Sequence, residues 1–265
     1  MSRLFFRDVI YSVSYGKIKY LAFFAIAACL TIMKSVEIKP FSANSIDVMF
    51  LMLQDNGTIR RAADYQVPFY WEFIQFFPLI LIGDFLHQDE SSNRTYLLLR
   101  CRSKIRYMIA KIGWMTWQSG WLFILLFFLI YVLSSLILGD FSLGSSSYFQ
   151  QQIMPMMEAK ASPASLFVHM FIGFVVTTMV LSALQLLCIQ FISPIATLFI
   201  MICLCSLSTF SSSKWLPAIH SMILKRNFFD TAHHLTLGFS VAYSLLVYVL
   251  ACVFAIYAFV KKDIL

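Results

Sequence analysis

The chain has 265 residues, 60% hydrophobic and only 12% charged, with a mean hydropathy of +0.79 and a formal net charge of +7. A soluble domain carries about 25% charged residues, so composition excludes an ordinary soluble fold and points to an all-α integral membrane protein, a single transmembrane domain over 1–265. The basic residues are scattered between apolar runs rather than gathered on one soluble face, which excludes a nucleic-acid-binding domain.

The 27 Phe, 12 Tyr and 5 Trp suit spans and their interfacial belts. Of the six cysteines, Cys29, Cys188, Cys203, Cys205 and Cys252 fall within apolar runs and Cys101 in a charged loop, so no disulfide framework is indicated. Cys203 and Cys205 have neither the spacing nor the nearby histidines of a metal site.

Residues 2–15 are not a span. Phe5, Phe6, Val9, Ile10 and Val13 share one helical face opposite Arg3, Arg7 and Ser14, and this predicts an amphipathic helix lying on the inner membrane surface. The alternative is a plain charged leader ahead of the first span. That span, about 20–35, is short, with Lys19 and Lys34 around YLAFFAIAACLTIM, and snorkelling lysines lengthen it. Ile26-Ala27-Ala28-Cys29 loosely imitates a lipoprotein cleavage site, but the apolar run continues past the cysteine. The polar stretch 36–68 then faces outward, with a short helix expected from Ile46 to Leu53 and a turn at Asn56-Gly57.

The second span, about 70–87, starts after Pro68 and loads its outer half with Tyr70, Trp71, Phe73, Phe76 and Phe77. Glu72 and Gln75 are its notable polar members. A carboxylate near a membrane edge simply reaches water in one reading; in the other, Glu72 and Gln75 face a path between subunits. Asp84, at the inner end, is expected to pair with a basic residue of the loop that follows.

That loop, DFLHQDESSNRTYLLLRCRSKIRYMIAK from Asp84 to Lys111, carries the densest charge in the chain. Ser91 or Ser92 is expected to cap a short helix and Ser103 to cap the next span. Its six basic residues are also what a lipid anchor needs under the positive-inside rule. Lipid anchoring does not call for Leu97, Leu98 and Leu99 between Arg94 and Arg100, whereas a knob seated in a partner's groove does.

An acidic residue after a span, a short helix, then LLLRCRSKIRYMIAK rising into the next span resembles the permease subunits of ABC-2-type transporters, the peptide or bacteriocin exporters of Firmicutes in particular. The resemblance covers the whole six-span layout. It implies that 88–106 is a cytoplasmic coupling helix between helices 2 and 3, resting on a separate ABC ATPase subunit in two copies. Asp89, Glu90, Arg94 and Tyr96, with Leu97, Leu98 and Arg100, would make that contact. ATP and Mg would sit on the partner, with no cofactor on this chain. It implies a second permease half, identical or related, and a path between the paired second and fifth helices lined by Tyr70, Glu72, Phe73 and Gln75, with Thr197 and Ser206.

The third span, about 107–138, carries Trp114, Trp117 and Trp121 at helical spacing, a packing seam or interfacial anchor. Ser162-Pro163 opens the fourth, about 164–190, where Gln185 and Gln190 are candidates for hydrogen bonds between helices. Ser193-Pro194 opens the fifth at once, about 194–211, with small residues that favour a subunit-facing helix. Residues 211–234, interrupted by Pro217, fit an outer re-entrant or surface-lying hairpin, and the resemblance extends to it. The last span, about 236–260, ends at Lys261-Lys262. Of 20 basic residues, this map puts 12 inside and 8 outside, with both termini cytoplasmic and the plasma membrane as location.

No GxxxxGK[ST], HExxH or GxSxG motif occurs, so the chain is not expected to be an enzyme. The sequence therefore reads as the membrane subunit of an ATP-driven exporter with an amphipathic or hydrophobic cargo such as a peptide. The alternatives are a membrane anchor or sensor that recruits a signalling partner, or an importer subunit.

Overall fold

A computed structural model describes residues 2–58, 66–92 and 103–262. About 79% of it is helix, and no strand occurs among the described residues. The helices are α1 (Ser2–Ile38), α2 (Ser45–Leu53), α3 (Phe69–Ser92), α4 (Lys104–Leu138), α5 (Pro163–Cys188), α6 (Pro194–Phe210) and α7 (Leu237–Lys261). Five of them, α1, α3, α4, α5 and α7, are long and apolar enough to cross a membrane, while α6 has 17 residues. The end of the bundle holding the start of α1, the end of α3, the start of α4 and the end of α7 is called the base below, and the other end the crown.

Residues 2–15 form no separate element. They run without a break into the first span, so that α1 has 37 residues and is about 55 Å long at 1.5 Å per residue. No proline lies within it, and its only glycine, Gly16, faces Tyr20 of the same helix. Its first turns do keep an apolar side to the protein, with Leu4, Phe5, Val9 and Tyr11 packed on the base.

Several expected boundaries are present. Ser103, Ser162, Ser193 and Thr236 each cap a helix by accepting from the backbone three residues on, and Pro163 and Pro194 occupy the first helical position. Ser91 and Ser92 are the last two residues of α3. The expected coupling helix, with Arg94, Tyr96, Leu97, Leu98 and Arg100, lies outside the described residues.

Two buried clusters stack along the bundle. The crown core joins Phe23, Trp71, Ile74, Phe123, Phe127, Leu166 and Phe174 to α2 and to Ala218–Ile223. The base core joins Ile82, Phe85, Leu86, Tyr107, Trp114, Leu186 and Phe259. α2 plugs the crown: Asn44 caps it by accepting from Ile46 and Asp47, and Asp47 answers by accepting from the Asn44 amide.

Residues 211–234 form no α-helix. Two short 3-10 turns, Pro217–Ser221 and Thr231–His233, punctuate a strap whose middle is buried. Lys225 holds it by donating to the carbonyls of Ser208, Thr209 and Ser211, the free acceptors at the end of α6. Asp55 holds its other side, accepting from the amides of Leu224 and Gly57.

Candidate functional site

At the base, two carboxylates and two cations meet in the protein interior. Asp8 and Asp89 are fully buried, and Lys111 is 2% exposed. Lys111 Nζ lies 2.8 Å from Asp8 and 2.6 Å from Asp89, and Arg7 Nη2 lies 2.7 Å from Asp8 and 2.6 Å from Asp89. The Tyr107 hydroxyl donates to Asp89 at 2.9 Å. One turn above, Trp114 Nε1 donates to Ser12 Oγ at 3.0 Å, and its ring lies 4.2 Å from that of Phe85.

Spacing explains the assembly. Asp8 follows Arg7 directly, so one cation reaches its own neighbour and the end of α3. Tyr107, Lys111 and Trp114 recur at i, i+4 and i+7, one face of α4. The ring of four charges is neutral. An ion taken from water costs several kcal/mol unless it is paired and hydrogen-bonded; here each carboxylate meets both cations, with hydrogen bonds from Arg7 and Tyr107 at Asp89 and charge contact without a hydrogen bond at Asp8.

The ring lies at the root of the 93–102 segment. Asp89 sits in the last turn of α3 and Lys111 two turns into α4, so both helices that flank that segment are fixed to each other and to α1. Lys104, the first residue of α4, donates to the carbonyls of Val260 and Lys262, and Lys262 Nζ donates to the Gln190 carbonyl. Among the described residues Asp84 pairs with Lys19 of α1, where the sequence suggests a basic residue of the following loop.

Sequence reasoning places Asp89 in a partner contact. The structure buries it in the ring, and Glu90 lies beside it in the last turns of α3. Arg7, Asp8 and Lys111 are the members sequence reasoning missed as a site. The available signal was Lys111 itself, a cation inside a predicted span, where ionisable residues are rare and paired.

The predicted path residues part company. On α3, Phe69, Ile80 and His87 are exposed and Glu72, Phe73, Phe76 and Asp84 half-buried. At 100° per residue all seven share one line. α1 flanks this line through Phe23 against Phe73 and Lys34 against Tyr70, and α6 flanks it through Cys205, within electrostatic reach of Glu72. Tyr70 stands at the edge. Gln75 is turned away, buried, and donates to Thr178 of α5 at 3.0 Å. Thr197 is buried on the inner face of α6, and Ser206 is half-buried on its flank. Of the tryptophan seam, Trp114 is buried, while Trp117 and Trp121 stack outward, 49% and 44% exposed.

The fold and its sites define a polytopic helical protein with membrane-spanning character. The chain matches no protein-family model, no curated protein and no solved structure.

Proposed function

We propose that this chain is the membrane subunit of an ATP-driven exporter, moved by a separate ATPase that grips the 88–106 segment from the cytoplasm. The observation that carries the reading is the buried ring of Arg7, Asp8, Asp89 and Lys111, which fixes the end of α3 and the start of α4 on either side of 93–102. A loop that only anchors lipid needs no rigid root. A loop that transmits force does, because a push on a loose loop is lost in local motion.

In this reading α6 is the fifth of six crossings, aided by thinning or tilt, since its 17 residues span about 26 Å against a core of about 30 Å. The first turns of α1 extend the first crossing at the inner end of the bundle, and the 211–234 strap covers the outer face. Two chains pair, and the open line of α3, with Glu72, Phe73 and Phe76, faces the cargo. The aromatic rings suit an amphipathic peptide, and Glu72 gives such a cargo one polar contact.

The test is co-purification with an ATPase from the same cell, followed by Leu97→Asp with Leu98→Asp. Association and ATP turnover are expected to fall together while the membrane subunit stays folded. Unchanged association and turnover would remove 88–106 as the coupling segment.

A further inference from the structure

The two cores part at one level. On α3 the division falls between Leu81 and Ile82, on α4 between Met115 and Leu122, and on α5 between Leu181 and Ala183. The level between them is polar or small: Gln118, Ser119, Ser182 and Gln185 are all buried there. Close by, the hydroxyls of Thr177 and Ser182 and the Oε1 atoms of Gln75 and Gln185 have no hydrogen-bond partner. Buried polar atoms are nearly always paired, and those that are not call for a reason such as strain, function or an ordered water.

α3 is weakest about one turn above this level. Pro78 is buried within it, so Ile74 loses the N–H its carbonyl would accept and the ring crowds the preceding turn. Five residues on, a Cβ at Gly83 would lie 1.9 Å from Gln185 Nε2, so α5 presses its glutamine on a stretch of α3 that has no side chain. Below this level α3 is pinned by Asp84 to Lys19 and by Asp89 to the ring. Above it, Gln75 and Phe73 tie α3 to α5 and α1.

We propose that the protein bends as two bodies at this waist, with Pro78 of α3 as the hinge and Gln75, Thr177, Ser182 and Gln185 exchanging partners as it bends. Packed cores switch between discrete arrangements rather than deforming smoothly. A polar seam between two separately packed cores is where such a switch costs least. The inference rests on the exporter reading only for what drives the motion: a push at the base would tilt the base body, and the bend would reach the Glu72 end of α3.

The experiment is amide hydrogen exchange on the full chain in lipid nanodiscs. Amides of 79–84 are expected to exchange about tenfold faster in the parent than in Pro78→Ala, with α2 and α7 unchanged. Gln185→Leu, which removes the unpaired oxygen and leaves the sequence of α3 intact, is expected to slow the same amides. Protection of 79–84 equal to that of 85–89 in the parent, and unchanged in both variants, would overturn the hinge. With a partner ATPase present, Pro78→Ala is expected to keep association and lose transport. Failure of the parent to bind any ATPase would sink the exporter reading and leave the exchange result standing.

Discussion

Lys111 of α4 and Asp89 of α3 face each other at 2.6 Å across the root of the 93–102 segment, and the same ammonium reaches Asp8 of α1 at 2.8 Å. One side chain thus joins three helices far apart in sequence. Lys111→Met would remove one of the two cations that Asp8 and Asp89 share. Breaking a buried ion pair from one side costs about 3–5 kcal/mol, so the purified protein should unfold at markedly lower temperature. Lys111→Met combined with Asp8→Asn, which restores neutrality, should recover part of the loss. Equal loss in both variants would show that charge balance is not what the ring supplies.

Glu72 is half-buried on the open line of α3. Glu72→Gln keeps its shape and removes its charge. On the proposed exporter reading, transport measured in vesicles should change while assembly with an ATPase and thermal stability do not. Unchanged transport would take Glu72 out of the path.

Gly173 lets the strap pass over α5. A Cβ there would lie 2.7 Å from the His220 carbonyl oxygen and 2.8 Å from Arg226 Nη2. Backbone cannot give way as a side-chain tip can, so Gly173→Ala should destabilise by about 1–3 kcal/mol. Limited proteolysis should then cut within 211–234 faster than in the parent. Equal cutting rates would mean that the strap is held elsewhere.

Burial pushes the carboxyls of Asp47 and Asp55 in the crown above the ordinary carboxylate range. The folded state therefore holds these protons more tightly than the unfolded chain. Their contribution to stability is fully present below the unfolded pKa and is lost as pH rises through the raised folded value. The melting temperature of the parent, minus that of Asp55→Asn, should fall as pH rises through this window and then level off. A difference independent of pH would contradict the assignment.

How much was legible beforehand differs by element. The start of α4 at Ser103 and the paired openings at Ser162-Pro163 and Ser193-Pro194 were readable because a cap is local: a hydroxyl, three residues, an amide. The membrane class followed from composition alone. The leader was misread as a separate helix because its polar residues look solvated in sequence, whereas Asp8 is buried against α4. Gln75 looked like a neighbour of Glu72 in a path, and it lies only about 60° from it around the helix; that small step, invisible without α5 in place, carries it from the half-buried edge of the line onto Thr178.

By itself the sequence determined that this is a membrane-helix protein, where most of its helices begin and end, and that it lacks the familiar catalytic motifs. Those facts depend on windows of a few to some twenty residues, where apolar length and capping act without distant partners. Only the tertiary structure decided that Arg7, Asp8, Asp89 and Lys111 form one neutral ring, that Asp84 belongs to Lys19, and that two cores meet at a polar waist. Burial of a charge is tolerable only where its partners arrive, and those partners are up to about a hundred residues away in the chain.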